Sequence, residues 1–407
     1  MKIWHPFTQE KTADAPLKII RGEGVYLFDE RRKRYLDMIS SWWTNLLGHA
    51  HGEIAEAIYW QASTLEHLIF AGFTHDPAEQ LCQNLSKFLP KTLEYFFFSD
   101  DGSTAVEVAI KMAYQYFANL NNENRNIYIN LAGGYHGDTL GAMSAAGNHS
   151  AYHGTFSEFF FETFSIDFPQ SPEDEVAALE KLEKFLKQNS ERVCALILEP
   201  LVQGAAGMKM YRAEFLDRVV REVRRYGIPT IFDEVMTGFY RTGTMFAMDQ
   251  CAEKPDIVCL SKGITGGFLP LALTVVSREI YGAFLSDDCK KAFIHGHSYT
   301  ANPLACAAAI KTMEILQRQE IQQNIRTISE IHRKSLQSLD NVSQKRDRGT
   351  IAAFAVESVE KAKAITKNMF QEGIIIRPIG QNIYLLPPYC TTAENLEYVY
   401  EKLKQYL

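Results

Sequence analysis

From about residue 94 onward, short apolar runs rich in β-prone residues alternate with longer stretches of helical periodicity, which predicts a mainly parallel sheet with helices crossing between its strands. The runs are Tyr95-Phe96-Phe97-Phe98, Ile127-Tyr128-Ile129, residues 193–198, Thr230-Ile231-Phe232, Ile257-Val258-Cys259-Leu260 and residues 271–276. Each is apolar almost throughout, as a strand covered on both faces must be. Before residue 60 the pattern changes. Residues 24–37 alternate like an antiparallel hairpin, Val25-Tyr26-Leu27-Phe28 turning at Asp29-Glu30-Arg31-Arg32 into Tyr35-Leu36. After about residue 304 come a long helical stretch, an apolar run over 351–356, a helix over 359–372 and a strand at Ile374-Ile375-Ile376. The pattern predicts an α/β chain. A large domain spans 61–303, and a smaller α+β domain is built jointly from residues 1–60 and 304–407.

Composition narrows the class. A length of 407 residues leaves room for two or three domains, and 46% hydrophobic with 22% charged residues is what a packed chain needs. The balance of 42 Lys+Arg against 49 Asp+Glu, net −7, gives no general attraction to nucleic acid or an anionic membrane. Seven scattered cysteines without a CxxC pair fit a reducing compartment better than a disulfide framework or a zinc site. The first residues lack the apolar core of a signal peptide and no run of about 18 apolar residues occurs, so the expected location is the cytoplasm, with no membrane contact.

Polar or glycine-rich clusters follow five of the runs: residues 99–103, Gly133-Gly134-Tyr135-His136-Gly137, Glu199-Pro200, Asp233-Glu234 and Ser261-Lys262. In open α/β sheets this edge is where ligands bind. Residues 98–104 join a strand to a helix, with Thr104 and Glu107 spaced as a capping box, and free amides there could hold a phosphate. Asp233 ends an apolar strand, where a carboxylate persists only opposite a cation or strong donor; alternatively it or Glu234 caps the next segment or pairs with Arg241. Lys262 places an amine at a strand end, where desolvation lowers basicity and suits it to Schiff-base chemistry. The close pairs His49/His51 and His295/His297 lack the helical spacing and acidic base of a metal hydrolase, so no metal is expected. A phosphate-holding helix start, a flat aromatic at Tyr135, an acidic strand end and a strand-end lysine together answer the parts of one cofactor, pyridoxal 5'-phosphate.

The segment Asp233-Glu234-Val235-Met236-Thr237-Gly238-Phe239-Tyr240-Arg241-Thr242-Gly243, followed by Ser261-Lys262-Gly263-Ile264-Thr265-Gly266-Gly267, resembles the class III pyridoxal-phosphate aminotransferases. Trp4-His5-Pro6-Phe7-Thr8, Ser40-Ser41-Trp42-Trp43, Gly134-Tyr135-His136-Gly137-Asp138-Thr139, Arg377-Pro378 and Leu386-Pro387-Pro388-Tyr389 resemble the branch that makes 7,8-diaminononanoate for biotin. The resemblance implies a fold-type I transferase, working as a homodimer with shared active sites. It implies ping-pong transfer of an amino group from S-adenosyl-L-methionine to 8-amino-7-oxononanoate. By the same resemblance Lys262 anchors the cofactor and moves the proton, Asp233 faces the pyridinium, and Tyr135 serves ring and chemistry. Gly102 and Ser103 form the phosphate cup, with His297 and Ser298 reaching the phosphate from the neighbouring subunit. Phe7, Trp42, Tyr135, Arg241, Gly296 and Arg377 fall on substrate-contacting positions, Arg377 as a carboxylate clamp.

Three departures from the pattern stand out. Phe7 replaces a common tyrosine, His297-Ser298 replaces a common Pro-Thr pair, and the segments 266–270 and 296–299 also resemble members that use lysine as donor. Trp42 suits the bulkier adenosyl donor. The competing readings are lysine as donor, another class III ω-aminotransferase, a pyridoxal-phosphate mutase or decarboxylase, and a non-enzymatic binding module.

Overall fold

A computed structural model describes residues 3–147 and 154–407. Its centre is a seven-stranded sheet in the order Leu93–Ser99, Ala272–Ser277, Ile257–Leu260, Thr230–Asp233, Val193–Leu198, Ile127–Leu131 and Thr163–Ile166. All the apolar runs become strands. Alternate residues of each point to opposite faces. Ala195, Ile197, Ile231 and Cys259 pack beneath the helix Gly102–Asn119, while Leu196, Leu198, Phe232 and Leu260 join a core on the other face.

One strand departs from the expected direction. Ala272–Ser277 runs antiparallel to both neighbours, so it is the start of this strand, at Leu271, that reaches the ligand edge. The short strand Thr163–Ile166 at the sheet's border has only its last residue buried and lacks the continuous apolar run that marks the others.

The two chain ends meet in a second sheet. Ile19–Glu23, Tyr26–Asp29 and Arg34–Asp37 form an antiparallel meander, and Ile374–Ile375 joins its edge parallel to the third strand, with Leu36 opposite Ile374 and Asp37 opposite Ile375. A three-stranded antiparallel sheet, Ser343–Arg348, Ile351–Ala355 and Asn382–Leu385, lies beside the helices Gln319–Gln337, Val359–Gln371 and Ala393–Tyr406. The long helical stretch after residue 304 is two helices, broken at Gln317. The first, Pro303–Leu316, packs on helices Gly52–Ala62 and Asp76–Leu85 and on the turn that begins at Lys262.

Candidate active site

The carboxyl ends of Leu93–Ser99, Ile127–Leu131, Val193–Leu198, Thr230–Asp233 and Ile257–Leu260 open on one cavity of about 690 Å³. Gly102, Ser103, Tyr135, Glu199, Asp233 and Lys262 all line it. A second chamber of about 420 Å³ is lined by Phe7, Trp42, Arg377 and Tyr384. Trp43, Tyr135 and Lys262 line both, so the two are chambers of a single cleft.

At one end of the larger chamber the helix Gly102–Asn119 begins. The expected capping box is displaced by three residues: Asp101 is the cap, accepting from the Thr104 amide at 3.0 Å, while the Thr104 hydroxyl accepts from the Asp101 amide at 3.1 Å. Glu107 instead accepts from the amides of Gly141 at 2.7 Å and Ala142 at 3.2 Å, tying down the helix Leu140–Ala146. This leaves the first amides, of Gly102 and Ser103, without intrahelical partners. Backbone approach here depends on small residues. A Cβ on Gly102 would stand 2.5 Å from Val235 Cγ1, and one on Gly137, whose φ is 122°, would run into Ser103. Ser103 Oγ also accepts from the Thr139 amide at 3.0 Å, so the Tyr135 loop and the helix start are one unit.

Deeper in, Asp233 is 4% exposed and its Oδ2 lies 2.7 Å from His136 Nδ1. Its Oδ1 accepts from the Val235 amide at 3.1 Å. The alternatives weighed for this strand end divide: Glu234 caps the turn Ala247–Gln250 through the amides of Ala247 and Met248, whereas Asp233 faces the cavity. His136 Nε2 is buried without a hydrogen-bond partner, an orphaned polar atom at the wall of the chamber. Tyr135 donates its hydroxyl to Asp138 at 2.8 Å, and its amide donates to Glu199 at 3.1 Å.

Lys262 begins a short turn in the left-handed region, at φ 46°, and its ammonium nitrogen lies 5.1 Å from the centroid of the Trp43 ring. Burial lowers its basicity, and the nearby Asp233 and Glu199 oppose that shift. The fit to pyridoxal phosphate is therefore good at each point that this chain supplies: unpaired amides at a helix start, a flat ring, a buried carboxylate and a desolvated amine.

In the smaller chamber the Arg377 guanidinium lies 4.3 Å from the Trp42 ring centroid, and Phe7 meets Trp42 edge-on at 5.5 Å. Arg241 lies apart from both chambers. It sits behind the site, 1% exposed and lining neither chamber, because its guanidinium is committed to the carbonyls of Pro387 at 2.8 Å and Asn45 at 3.3 Å and to the Tyr389 ring. Gly296, His297 and Ser298 also line neither chamber; His297 Nε2 lies 4.0 Å from Asp100, at the rim of the helix start. His136, Glu199 and Trp43 are site residues that sequence reasoning did not single out, although the first two lie in strand-end clusters that it did mark.

The model of the class III aminotransferases matches residues 7–407. Adenosylmethionine-8-amino-7-oxononanoate aminotransferase of Synechococcus elongatus is 44% identical, covering 100% of this chain and 98% of that protein. The crystal structure of the aminotransferase of that name from Methanocaldococcus jannaschii superposes with a TM-score of 0.93 at 37% identity, covering 99% of this chain and 96% of the other. An amine transaminase from an uncultivated Pseudomonas species, solved in its PLP-bound form, gives a TM-score of 0.93 at 29% identity, over 100% and 98% of the two chains.

Proposed function

The chain belongs to the class III aminotransferase family, and from that membership and the cleft we propose that it moves the amino group of S-adenosyl-L-methionine to 8-amino-7-oxononanoate, giving 7,8-diaminononanoate for biotin synthesis. It is a pyridoxal-phosphate enzyme of fold-type I. The observation that carries the reading is the convergence of Lys262, the Asp233–His136 pair and the helix start at Gly102 on one cavity.

When bound, the cofactor supplies an aldehyde that takes up an amine and a protonated ring that draws electrons from the carbon bearing that amine. In this reading the Gly102 and Ser103 amides would hold its phosphate and Tyr135 would offer a flat face to its ring. Asp233, itself held by His136, would pair with the ring nitrogen and favour its protonated form. Lys262 would be the covalent anchor and the amine that carries the proton of the substrate carbon. Trp42, Phe7 and Arg377 would bind the substrate in the smaller chamber, with Arg377 pairing a carboxylate and Gly296 a further contact implied by the family resemblance.

Residues 1–60 and 304–407 would then form the smaller domain beside the cofactor-binding domain of 61–303. A shared sheet formed by the two chain ends supports this. We read the protein as a homodimer in which His297 and Ser298 complete the partner's phosphate site. In support, the segments around residues 67 and 298 meet where the His67 and Tyr299 rings lie 5.3 Å apart, and both segments carry exposed large apolar side chains, Ile69, Phe73, Ile294 and Tyr299, which a second copy would cover. Among the described residues no helix is long and apolar enough to cross a membrane. The seven cysteines are free thiols, which favours the cytoplasm.

The test is visible absorbance of the protein loaded with pyridoxal phosphate, with adenosylmethionine or lysine added separately and no acceptor present. Adenosylmethionine should bleach the bound cofactor's absorbance, and 8-amino-7-oxononanoate should restore it as 7,8-diaminononanoate forms. Bleaching by lysine alone would move the protein to a lysine-using branch, and bleaching by neither would overturn the reading.

A further inference from the structure

The walls of the smaller chamber rest on a backbone that few side chains tolerate. Ser40, Ser41 and Trp43 have φ values of 50°, 63° and 68°, three left-handed residues with Cβ atoms within four positions. Such a turn persists only where its surroundings over-determine it.

One buried carboxylate does much of this. Asp37, 1% exposed, accepts from the Ile39 amide at 3.1 Å through Oδ1 and from the Ser41 amide at 2.6 Å through Oδ2. The same Oδ2 lies 3.0 Å from His49 Nε2. The direction of that bond is set by the chain of donors behind it. The Gly48 amide can only donate, so Asn45 turns Oδ1 toward it at 2.8 Å and presents Nδ2 to His49 Nδ1 at 3.0 Å. His49 Nδ1 therefore accepts, and Nε2 carries the proton toward Asp37. On the other side, Asp37 lies opposite Ile375 in the parallel strand pair, and two residues beyond Ile375 the chain presents Arg377 to the Trp42 ring. Asp37 is thus at the root of both walls, although neither it nor His49 lines the cleft.

We propose that Asp37 and His49 act as one positioning unit for the substrate chamber, holding the left-handed Ser40-Ser41-Trp42-Trp43 turn so that Trp42 meets Arg377 and Trp43 meets Lys262. The proposal rests on the aminotransferase reading, since it treats the Trp42–Arg377 wall as the place where substrate is held. A misplacement of about 1 Å in such a wall costs up to about 100-fold in kcat/KM, while the cofactor's own contacts at Gly102 and Asp233 stay intact.

The experiment compares the pyridoxal-phosphate-loaded wild type with His49→Leu, His49→Gln, Asp37→Asn and the double variant Asp37→Asn/His49→Leu, measuring cofactor content, kcat and KM for 8-amino-7-oxononanoate. His49→Leu should keep its cofactor and raise KM by about 10- to 100-fold with a smaller change in kcat. His49→Gln, which retains an N–H within reach of the carboxylate, should recover most of that loss. The double variant should be no worse than the worse single one, as expected of two residues in one unit. A wild-type KM in His49→Leu, or activity lost only in proportion to lost cofactor, would overturn the proposal; the His49 variants carry the test if Asp37→Asn does not fold. A wild type that transfers no amino group from any donor would instead overturn the aminotransferase reading, so the two failures are distinct.

Discussion

His136 Nδ1 stands 2.7 Å from Asp233 Oδ2, with both side chains almost fully buried at the end of a central strand. A carboxylate accepts only, so the imidazole donates, which fixes the orientation of the carboxylate at the cavity wall. Replacing Asp233 by Asn keeps the shape and removes the charge. Turnover should fall by about 10²- to 10⁴-fold while cofactor remains attached through Lys262. Single-turnover absorbance with adenosylmethionine reads both quantities at once, and a change below tenfold would dismiss the role assigned to Asp233.

Lys262 is the other pole of the site. Its burial favours the neutral amine, the form that attacks an aldehyde. Borohydride reduction of the loaded protein should therefore fix the cofactor to the peptide that contains Lys262, as seen by mass spectrometry. Lys262→Ala should show no labelled peptide and no measurable transfer. A label on any other lysine would refute the assignment.

Much of this was legible in the sequence because parallel strands covered on both faces are continuous apolar runs, and the residues just past the carboxyl end of each run form the ligand edge. Asp233 and Lys262 stand out in that way as candidates once the other strand-end clusters are read with them, and both line the cavity. The features that stayed hidden depend on pairing across the fold. Arg241 lies in the same motif as Asp233, yet its guanidinium turns to the Pro387 carbonyl, 146 residues away in sequence. Nor does local spacing reveal that Asp101 rather than Thr104 caps its helix, because both carry side chains able to cap, three residues apart. Ser343–Arg348, an edge strand of polar residues, carries no apolar signal at all.

Burial pushes the Glu199 carboxyl up to about 7 from an ordinary 4.5, against the opposing pull of His136 and the Gly204 and Tyr135 amides. The folded protein then holds a proton that the unfolded chain has released between those values. Stability from this group is present below the unfolded value and is lost as pH rises toward about 7. Between pH 5 and pH 8 the loss amounts to about 2 to 3 kcal/mol. Glu199→Gln removes the titration, and any constant cost of the substitution is the same at both pH values. Urea unfolding at the two pH values should show a fall in stability that is smaller in the variant by about that amount. Equal falls in the two proteins would mean that Glu199 is ionised throughout.

The Arg377 guanidinium lies over the Trp42 ring, 4.3 Å from its centroid, while the residue remains exposed and lines the chamber, so the group is in place before substrate arrives. A guanidinium so placed can meet a carboxylate with two parallel hydrogen bonds. Lysine would retain the charge but neither the fork nor the flat face that rests on the indole. KM for 8-amino-7-oxononanoate should therefore rise by about 100-fold in Arg377→Ala, and Arg377→Lys should recover only part of that, with kcat less affected in both. Steady-state kinetics on the two variants separate the contributions. Full recovery by lysine would show that Arg377 acts as a point charge and that its stacking on Trp42 adds nothing to substrate binding.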